Sequence, residues 1–544
     1  MPLACGGSSG DSGAPSATDA GPDTTSGPPP SDGGASDSAN DAPQDAGPPP
    51  AVTVVVNAGT PGAPIVATEL GANLVVSSGA PATPALLQAL VTQGVRVIRW
   101  PGGTESDLYH WQTNTICADP AANSRDAAPA NDFDDFMARM HAENLDVVMT
   151  ANYGTNAACN AGGDPTEAAA WVAHAKALAA ANGYTSIRYW TVGNEVYRSN
   201  ASGSEPDYHG LDGAAGLPND PGTYAAAVGD GGADAGYYAL MKGADNQVQV
   251  GVVVNPGQEP WDHTVLHNAA YDYVEIHEYP EYNHGAGADN DAFLLGTPTG
   301  ELASHVATLK AELADAGHPD TPIMLGEVNA EGILQTHQSV SIVNALFCGL
   351  VFGEYLNDGL AVITWYTGTG SSYNADPAFV ADAGLYGWQS WGTFDLVADN
   401  AIQDNLFIDA GTPLPPAIAL GLVAQFAQPG NHMLVATVAG DAGASGDGGA
   451  SSPTVRAYGA TQGTGYALML FNLDENAAVT VAVTLSGATG TSFTQSTQTY
   501  SKAVYDLSRD GGVWAGPVDA ATATVGSSFD VTLPPWSQTV IVLR

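Results

Sequence analysis

The sequence predicts an α/β chain: a (β/α)8 barrel, an antiparallel β-sandwich after it, and a disordered tether before it. Three observations carry this. Eight short apolar segments alternate with helical patterns between residues 65 and 412. Beyond 412 the helical periodicity stops, and β-branched or apolar runs are separated by Gly, Asn, Asp and Ser. Residues 1–50 hold seven Asp and no Lys, Arg or Glu, are otherwise mostly Gly, Ser, Ala and Pro, and offer nothing to bury.

In chain order, the tether ends at Pro48-Pro49-Pro50. Residues 51–64 begin with a β-rich run, 51–58, expected to join the later β-domain as an edge strand. Barrel strands are expected near 71–76, 95–100, 145–151, 187–192, 248–254, 273–277, 322–326 and 361–365. Between them, Phe133, Phe136, Met137 and Met140 share a helical face, as do Leu302, Val306, Leu309 and Leu313. Asp164, Pro165 and Glu167 read as a capping box at a helix start, with Asn182-Gly183 closing that helix. Eight strands in about 300 residues suit a closed barrel. An open doubly wound sheet would want a Gly-rich phosphate loop after an early strand, which is missing. The region 413–544 carries the sandwich, expected to pack on the barrel or, alternatively, to bind carbohydrate. The stretch 441–452 reads as a mobile surface loop.

The charge narrows the partners. Thirteen Lys and Arg face 57 Asp and Glu, a formal net charge of -44. The 494 residues after the tether still carry 50 acids, so the folded part is itself acidic. Such a surface repels phosphate backbones and anionic membranes, so nucleic acid is not an expected partner. A neutral polysaccharide suffers no such repulsion.

Of the four cysteines, Cys5 follows Leu3-Ala4 and precedes small residues and the tether. This resembles the end of a bacterial lipoprotein signal, although the basic and apolar segments that go before such a site are not in the sequence. On that reading Cys5 carries a lipid, the protein is secreted or cell-surface, and the anchor is its only membrane contact. The alternative is a chance Cys in a low-complexity stretch. Cys117 and Cys159 fall in polar loops after neighbouring strands two and three, so a disulfide is expected. Cys348 sits in an apolar helical run and reads as buried.

Active sites of such barrels form at the C-terminal ends of the strands. Strand two ends in Arg99, able to hold a carboxylate through paired hydrogen bonds. Strand three ends in Asn152 and Tyr153, strand four in Asn194 and Glu195, strand six in His277, Glu278 and Tyr279. Strand seven ends in Glu327 and strand eight in Trp365; Trp388 follows in a long loop. Glu195 and Glu327 thus close two strands of one rim. Two carboxyls about 5 Å apart across it support glycosidic hydrolysis by double displacement, one giving a proton to the leaving oxygen and the other attacking the anomeric carbon. Close carboxylates also raise one pKa, which suits an acid. Arg99, Asn152, Tyr153, Asn194, His277, Tyr279, Trp365 and Trp388 are the expected sugar-binding set. His277, Glu278 and Glu327 offer a metal alternative. However, a continuing strand points Glu278 away from His277, and no spaced His pair accompanies them, so no metal or other cofactor is expected.

The stretches Arg99-Trp100-Pro101-Gly102-Gly103, Asn152-Tyr153-Gly154, Trp190-Thr191-Val192-Gly193-Asn194-Glu195, His277-Glu278-Tyr279-Pro280 and Leu325-Gly326-Glu327 resemble clan A glycoside hydrolases. The likeness is closest to family 51, the α-L-arabinofuranosidases and some endoglucanases, and spans about 65–425. It implies retaining hydrolysis, with Glu195 as general acid/base and Glu327 as nucleophile. Two features depart from the family: Gly71-Ala72-Asn73 lacks the Glu usual at the end of strand one, and Thr104 stands where Asn is usual. Gly102 to Asp107 also resembles family 79, the β-glucuronidases and heparanases. Tyr109-His110-Trp111 and His277 to Glu281 resemble the family 44 endoglucanases. A non-catalytic polysaccharide-binding surface protein is the reading from another class.

Overall fold

The computed structural model describes residues 52–76, 82–119, 124–127, 131–198, 220–229, 236–281, 290–332, 337–369, 395–398, 409–440, 454–509 and 515–544. Eight parallel strands close into a barrel: β1 (Gly71–Leu74), β2 (Val97–Trp100), β3 (Asp146–Ala151), β4 (Tyr189–Val192), β5 (Gln249–Val253), β6 (Tyr273–Glu278), β7 (Ile323–Val328) and β8 (Val362–Thr369). They pair in chain order and β8 returns to β1. All eight lie where the apolar segments predict them.

The two-residue period of a strand decides what faces the interior. Val97, Val148, Tyr273, Met324 and Val362 pack together inside the barrel. Ile98 and Trp100 join the layer between strands and helices, so Arg99 faces inward with Val97. Val274 and Ile276 likewise face outward, which puts Tyr273, Glu275 and His277 on one inner stripe of β6. On β7 the period breaks. Ile276 pairs with Leu325, but His277 pairs with Glu327. The extra residue, Gly326, is a β-bulge, a device that re-aims side chains beside active sites. It lets Leu325 face the helices and Glu327 face the cleft.

The helices follow their sequence signals. Phe133, Phe136, Met137 and Met140 are the buried face of Phe133–Ala142. Pro165–Asn182 begins at Asp164, whose side chain accepts from Thr166 N, and ends at left-handed Gly183, φ 73°. Half of the expected capping box differs: the Glu167 carboxylate accepts from His110 Nδ1 at 3.1 Å.

The C-terminal region is one curled ten-stranded sheet. Val54 and Val56, Leu468 and Leu470, Val483 and Ile541 come from strands spread across its width yet form one cluster, so the sheet closes over its own face as a sandwich does. The strand Val52–Pro64 joins it, but in the interior: it runs antiparallel to His432–Ala439 and parallel to Val479–Ser486. An edge would expose its backbone, and the alternation of Val52, Val54 and Val56 is better buried between two partners. The sheet's other face, with Met469, Phe471 and Val540, packs on the helix layer. There the helix Ile342–Asp358 is buried almost all round, as the apolar residues on all its faces require. Gln538 Nε2 donates to Ala419 O of the helix Pro415–Phe426 at 3.2 Å.

Among the described residues, no helix is long and apolar enough to cross a membrane. Cys117 and Cys159 are joined as a disulfide closing 42 residues of chain, and Cys348 is a buried free thiol. Cys5, Trp388 and the stretch 441–452 lie outside the described residues.

Candidate active site

Arg99 is the centre of the site. Its guanidinium is fully buried and has partners on four other strands or their ends. Nη1 donates to Glu327 Oε1 at 2.9 Å and to Asn73 Oδ1 at 3.0 Å. Nη2 donates to Asn194 Oδ1 at 2.9 Å and meets Glu275 Oε1 at 2.7 Å. A buried guanidinium is tolerable only with such compensation. Burial alone would lower its pKa, but Glu275 and Glu327 outweigh that and raise it, so Arg99 is a fixed cation.

His277 lies between three carboxylates. Its Nδ1 is 3.0 Å from Glu195 Oε1 and 3.7 Å from Glu327 Oε2, and its Nε2 is 3.0 Å from Glu275 Oε1. Burial pushes the imidazole pKa down; Glu327, together with hydrogen bonds to Glu195 and Glu275, overrides this and lifts it to about 10. Both ring nitrogens therefore carry protons and donate. The metal alternative would also need Glu278 beside this ring. Glu278 goes elsewhere: its carboxylate takes His305 Nδ1 at 3.0 Å, on the helix Ala303–Asp315.

The two candidate carboxylates flank His277, with an oxygen of Glu195 and an oxygen of Glu327 within 4.8 Å of each other. Glu327 Oε2 also accepts from Tyr279 OH at 2.6 Å. Glu195 Oε1 accepts from Tyr197 OH at 3.3 Å, and Oε2 from Arg198 Nη1 at 2.6 Å. Burial favours a neutral Glu195, but the hydrogen bond and charge of His277, with Arg198, pull its pKa down to about 2. This corrects the expectation of a raised acid. The close carboxylate pair is separated electrically by an imidazolium, and at rest the proton resides on the ring.

Neighbouring loops are aimed by one residue that the strand-end reading left without a role. Asp107 Oδ1 accepts from Tyr153 N at 2.8 Å and Gly154 N at 3.1 Å, and its Oδ2 from Asn194 N at 2.8 Å. It fixes the ends of β3 and β4 together. Gly193 makes the turn into Asn194 at φ 78°, where a Cβ would also meet Val196 Cγ1 at 2.9 Å. Glu275 was equally without a role, although it shares its strand face with His277, two residues on. Besides Arg99 and His277 it takes a short hydrogen bond from Thr191 Oγ1.

Other expected sugar-binding residues are placed differently. The Asn152 amide donates to Tyr109 O at 3.1 Å and Thr155 Oγ1 at 3.2 Å, bracing its own loop. Tyr153 is fully buried against Tyr224 and Tyr237, ring centroids 5.0 and 6.2 Å away. Trp365 is buried in the helix layer, 6.1 Å from the Phe347 ring. The next residue, Tyr366, stands 6.2 Å from the Tyr279 ring beside the site. From Glu195 a cavity of about 440 Å³ extends past Arg198, Asn255, Gln258, Tyr279 and His305.

No family model matches the sequence, and no curated protein matches it. Solved structures do. An α-L-arabinofuranosidase from Thermotoga maritima matches with a TM-score of 0.65 and 16% identity, over 90% of this chain and 99% of that one. A GH51 arabinofuranosidase from Xanthomonas axonopodis pv. citri matches at 0.65 and 16%, over 91% and 100%. A glycoside hydrolase family 44 xyloglucanase from Paenibacillus polymyxa matches at 0.59 and 13%, over 91% and 99%. At such identities the shared property is the fold, an eight-stranded barrel carrying a β-sheet domain, over about nine-tenths of the chain.

Proposed function

We propose that the chain is a retaining glycoside hydrolase of polysaccharides or their oligosaccharides, with Glu327 as nucleophile and Glu195 as general acid/base. The observation that carries this is the carboxylate pair: oxygens within 4.8 Å across one imidazolium. Retaining glycosidases hold their carboxyls about 5–5.5 Å apart, whereas inverting ones leave room for a water at roughly 6.5–9.5 Å.

In this reading the proton stored on His277 passes to Glu195 as substrate binds, and Glu327 attacks the anomeric carbon while Glu195 gives that proton to the departing oxygen. A glycosyl ester forms on Glu327 as the C–O bond to the leaving group breaks. Glu195, now ionised, takes a proton from water, whose oxygen displaces Glu327 from the sugar. Arg99 and Tyr279 hold the two oxygens of Glu327 and orient it for attack. Arg99 also fixes the Asn194 carbonyl, leaving the Asn194 amide group to donate to the sugar 2-hydroxyl. The cavity beyond Glu195 lies on the leaving-group side and has room for further sugar units.

The similar structures are named for arabinofuranosidase and xyloglucanase activities. Asn73 stands at the end of β1, and its amide is spent on Arg99 and on the carbonyls of Gly326 and Trp365. This favours a β-glucan or xylan over an arabinofuranoside, because the strand-one carboxylate that would bind arabinose is lacking. Products from arabinan, xylan, xyloglucan and β-glucan decide it; hydrolysis confined to arabinofuranosides would reject this preference.

The catalytic assignment is tested with Glu327→Ala. Activity should vanish and return with azide as a glycosyl azide of inverted configuration; near-normal turnover without azide would refute it. Glu195→Ala should slow substrates with poor leaving groups most.

A further inference from the structure

Outside the residues of the candidate active site, on the outer helical layer, two imidazoles and a carboxylate converge. His263 and His267 lie one turn apart on the helix Trp261–Asn268, with ring centroids 4.1 Å apart. Asp315 ends the helix Ala303–Asp315, and its Oδ2 is 3.6 Å from His267 Nε2. One ligand-type atom from each of the three lies within 4.8 Å of the others, and all three residues are exposed. From this geometry we propose that His263, His267 and Asp315 form a surface binding site for a divalent transition-metal ion of the zinc, nickel or copper class.

Four features favour an ion here. His267 Nδ1 is 2.9 Å from the carbonyl of His263, one turn back. A carbonyl can only accept, so Nδ1 carries the proton, and in the neutral ring the Nε2 lone pair faces Asp315. A backbone carbonyl that fixes the tautomer is the usual support of a metal-bound histidine. Second, the spacing fits. Ligands about 2.0–2.2 Å from a tetrahedral ion stand roughly 3.3–3.6 Å from one another, so the His267–Asp315 pair needs almost no movement. Third, His267 and Asp315 both sit in last turns, where carbonyl ends favour a cation. Fourth, the chain's net charge of -44 concentrates cations at its surface. Two imidazoles select transition metals over magnesium or calcium, which prefer oxygen. The remaining coordination positions are open to water.

The ion would tie two barrel helices together. The first of them also carries Asp262, whose carboxylate accepts from Asn255 N at 2.9 Å and Gln258 N at 3.0 Å and so holds a loop lining the cleft. The expected effect is on heat stability.

The test uses the untagged full chain, stripped with EDTA and titrated with zinc chloride at pH 7.5 by calorimetry and by melting temperature. One zinc per chain should bind and raise the melting temperature by mass action. His263→Gln with His267→Gln should abolish this, and Asp315→Asn should weaken binding about tenfold. Glu327→Gln, at the cleft, should leave it intact. Equal binding in the double-His variant would overturn the site, as would an equal thermal shift with magnesium or calcium. Being exposed, these residues can be changed without disturbing the core.

Discussion

His277 is where burial and charge compete most directly. Its raised pKa of about 10 and the lowered pKa of Glu195, about 2, describe one hydrogen-bonded pair sharing a proton. The pH consequences follow from the directions. A protonated His277 stabilises the fold fully below its ordinary value near 6.5, and that contribution is lost as pH rises through about 10. The ionised Glu195 contributes above about 4.5, and its share is lost as pH falls toward 2. Catalysis needs the pair to keep its one proton, so the alkaline limb of kcat/KM should belong to the pair and lie high. His277→Asn removes the imidazolium and leaves the proton on Glu195 itself. The limb should then drop by at least about two units, toward the carboxylate range. A pH–rate profile with an unmoved alkaline limb would show that His277 does not store the proton. At this scale the strand ends revealed Arg99, Glu195, His277, Tyr279 and Glu327. Asp107 and Glu275 went unassigned because their partners come from other strands, and an Asp in a loop or a Glu in mid-strand looks ordinary until those partners are seen.

Among the elements, β7 does the most unusual work. Strict alternation would turn Glu327 to the helices; the bulge at Gly326 turns it to the cleft. Glycine is required there because a Cβ would fall 2.1 Å from Glu275 Oε1. That carboxylate is pinned by Arg99, His277 and Thr191 and cannot swing aside. Gly326→Ala should therefore displace Glu275 or straighten the bulge, moving Glu327 by a fraction of an ångström or more. A loss on the order of 100-fold in kcat is expected, with a lower melting temperature and an unchanged far-ultraviolet spectrum. Wild-type kcat in this variant would mean that the bulge does not aim the nucleophile. Strand existence was legible because apolar runs of this length have few alternatives. The bulge was not, since Leu325-Gly326-Glu327 reads equally well as a regular strand. The same limit turned Trp365 into the helix layer and left Tyr366 by the cleft: a strand end shows which residues are available and leaves open which one faces in.

At the scale of the whole molecule, barrel and sheet share a boundary that neither completes alone. Gly349 and Gly353 form a flat stripe on Ile342–Asp358, and a Cβ at either would meet Gln538 at 2.8 Å or Tyr458 at 2.7 Å. Tyr458 OH also donates to Glu354 Oε2 at 3.2 Å. A chain cut to residues 65–427 keeps every barrel strand but removes the whole sheet and exposes this apolar face. It should express as aggregate or bind a hydrophobic dye strongly; a soluble, cooperatively melting fragment would contradict this. Gly353→Leu, placed in the same interface, should lower the melting temperature of the full chain through overpacking.

The helix Pro415–Phe426 moves the change of architecture past the expected residue 412, but the sequence alone determined the eight strands, the C-terminal sheet, the disulfide partners and the two candidate carboxylates. Each of these is written locally, in hydrophobic period, turn residues and the position of a charge at a strand end. Tertiary structure decided what depends on residues distant in the chain. It placed an imidazolium between the carboxylates, so Glu195 is acidified where mutual repulsion alone would have raised it. It put the N-terminal strand inside the sheet, because the partners His432–Ala439 and Val479–Ser486 lie more than 350 residues away. It also brought Asp315 to His263 and His267. Protonation states and shared ligand sets are properties of neighbours in space, and a linear pattern does not specify them.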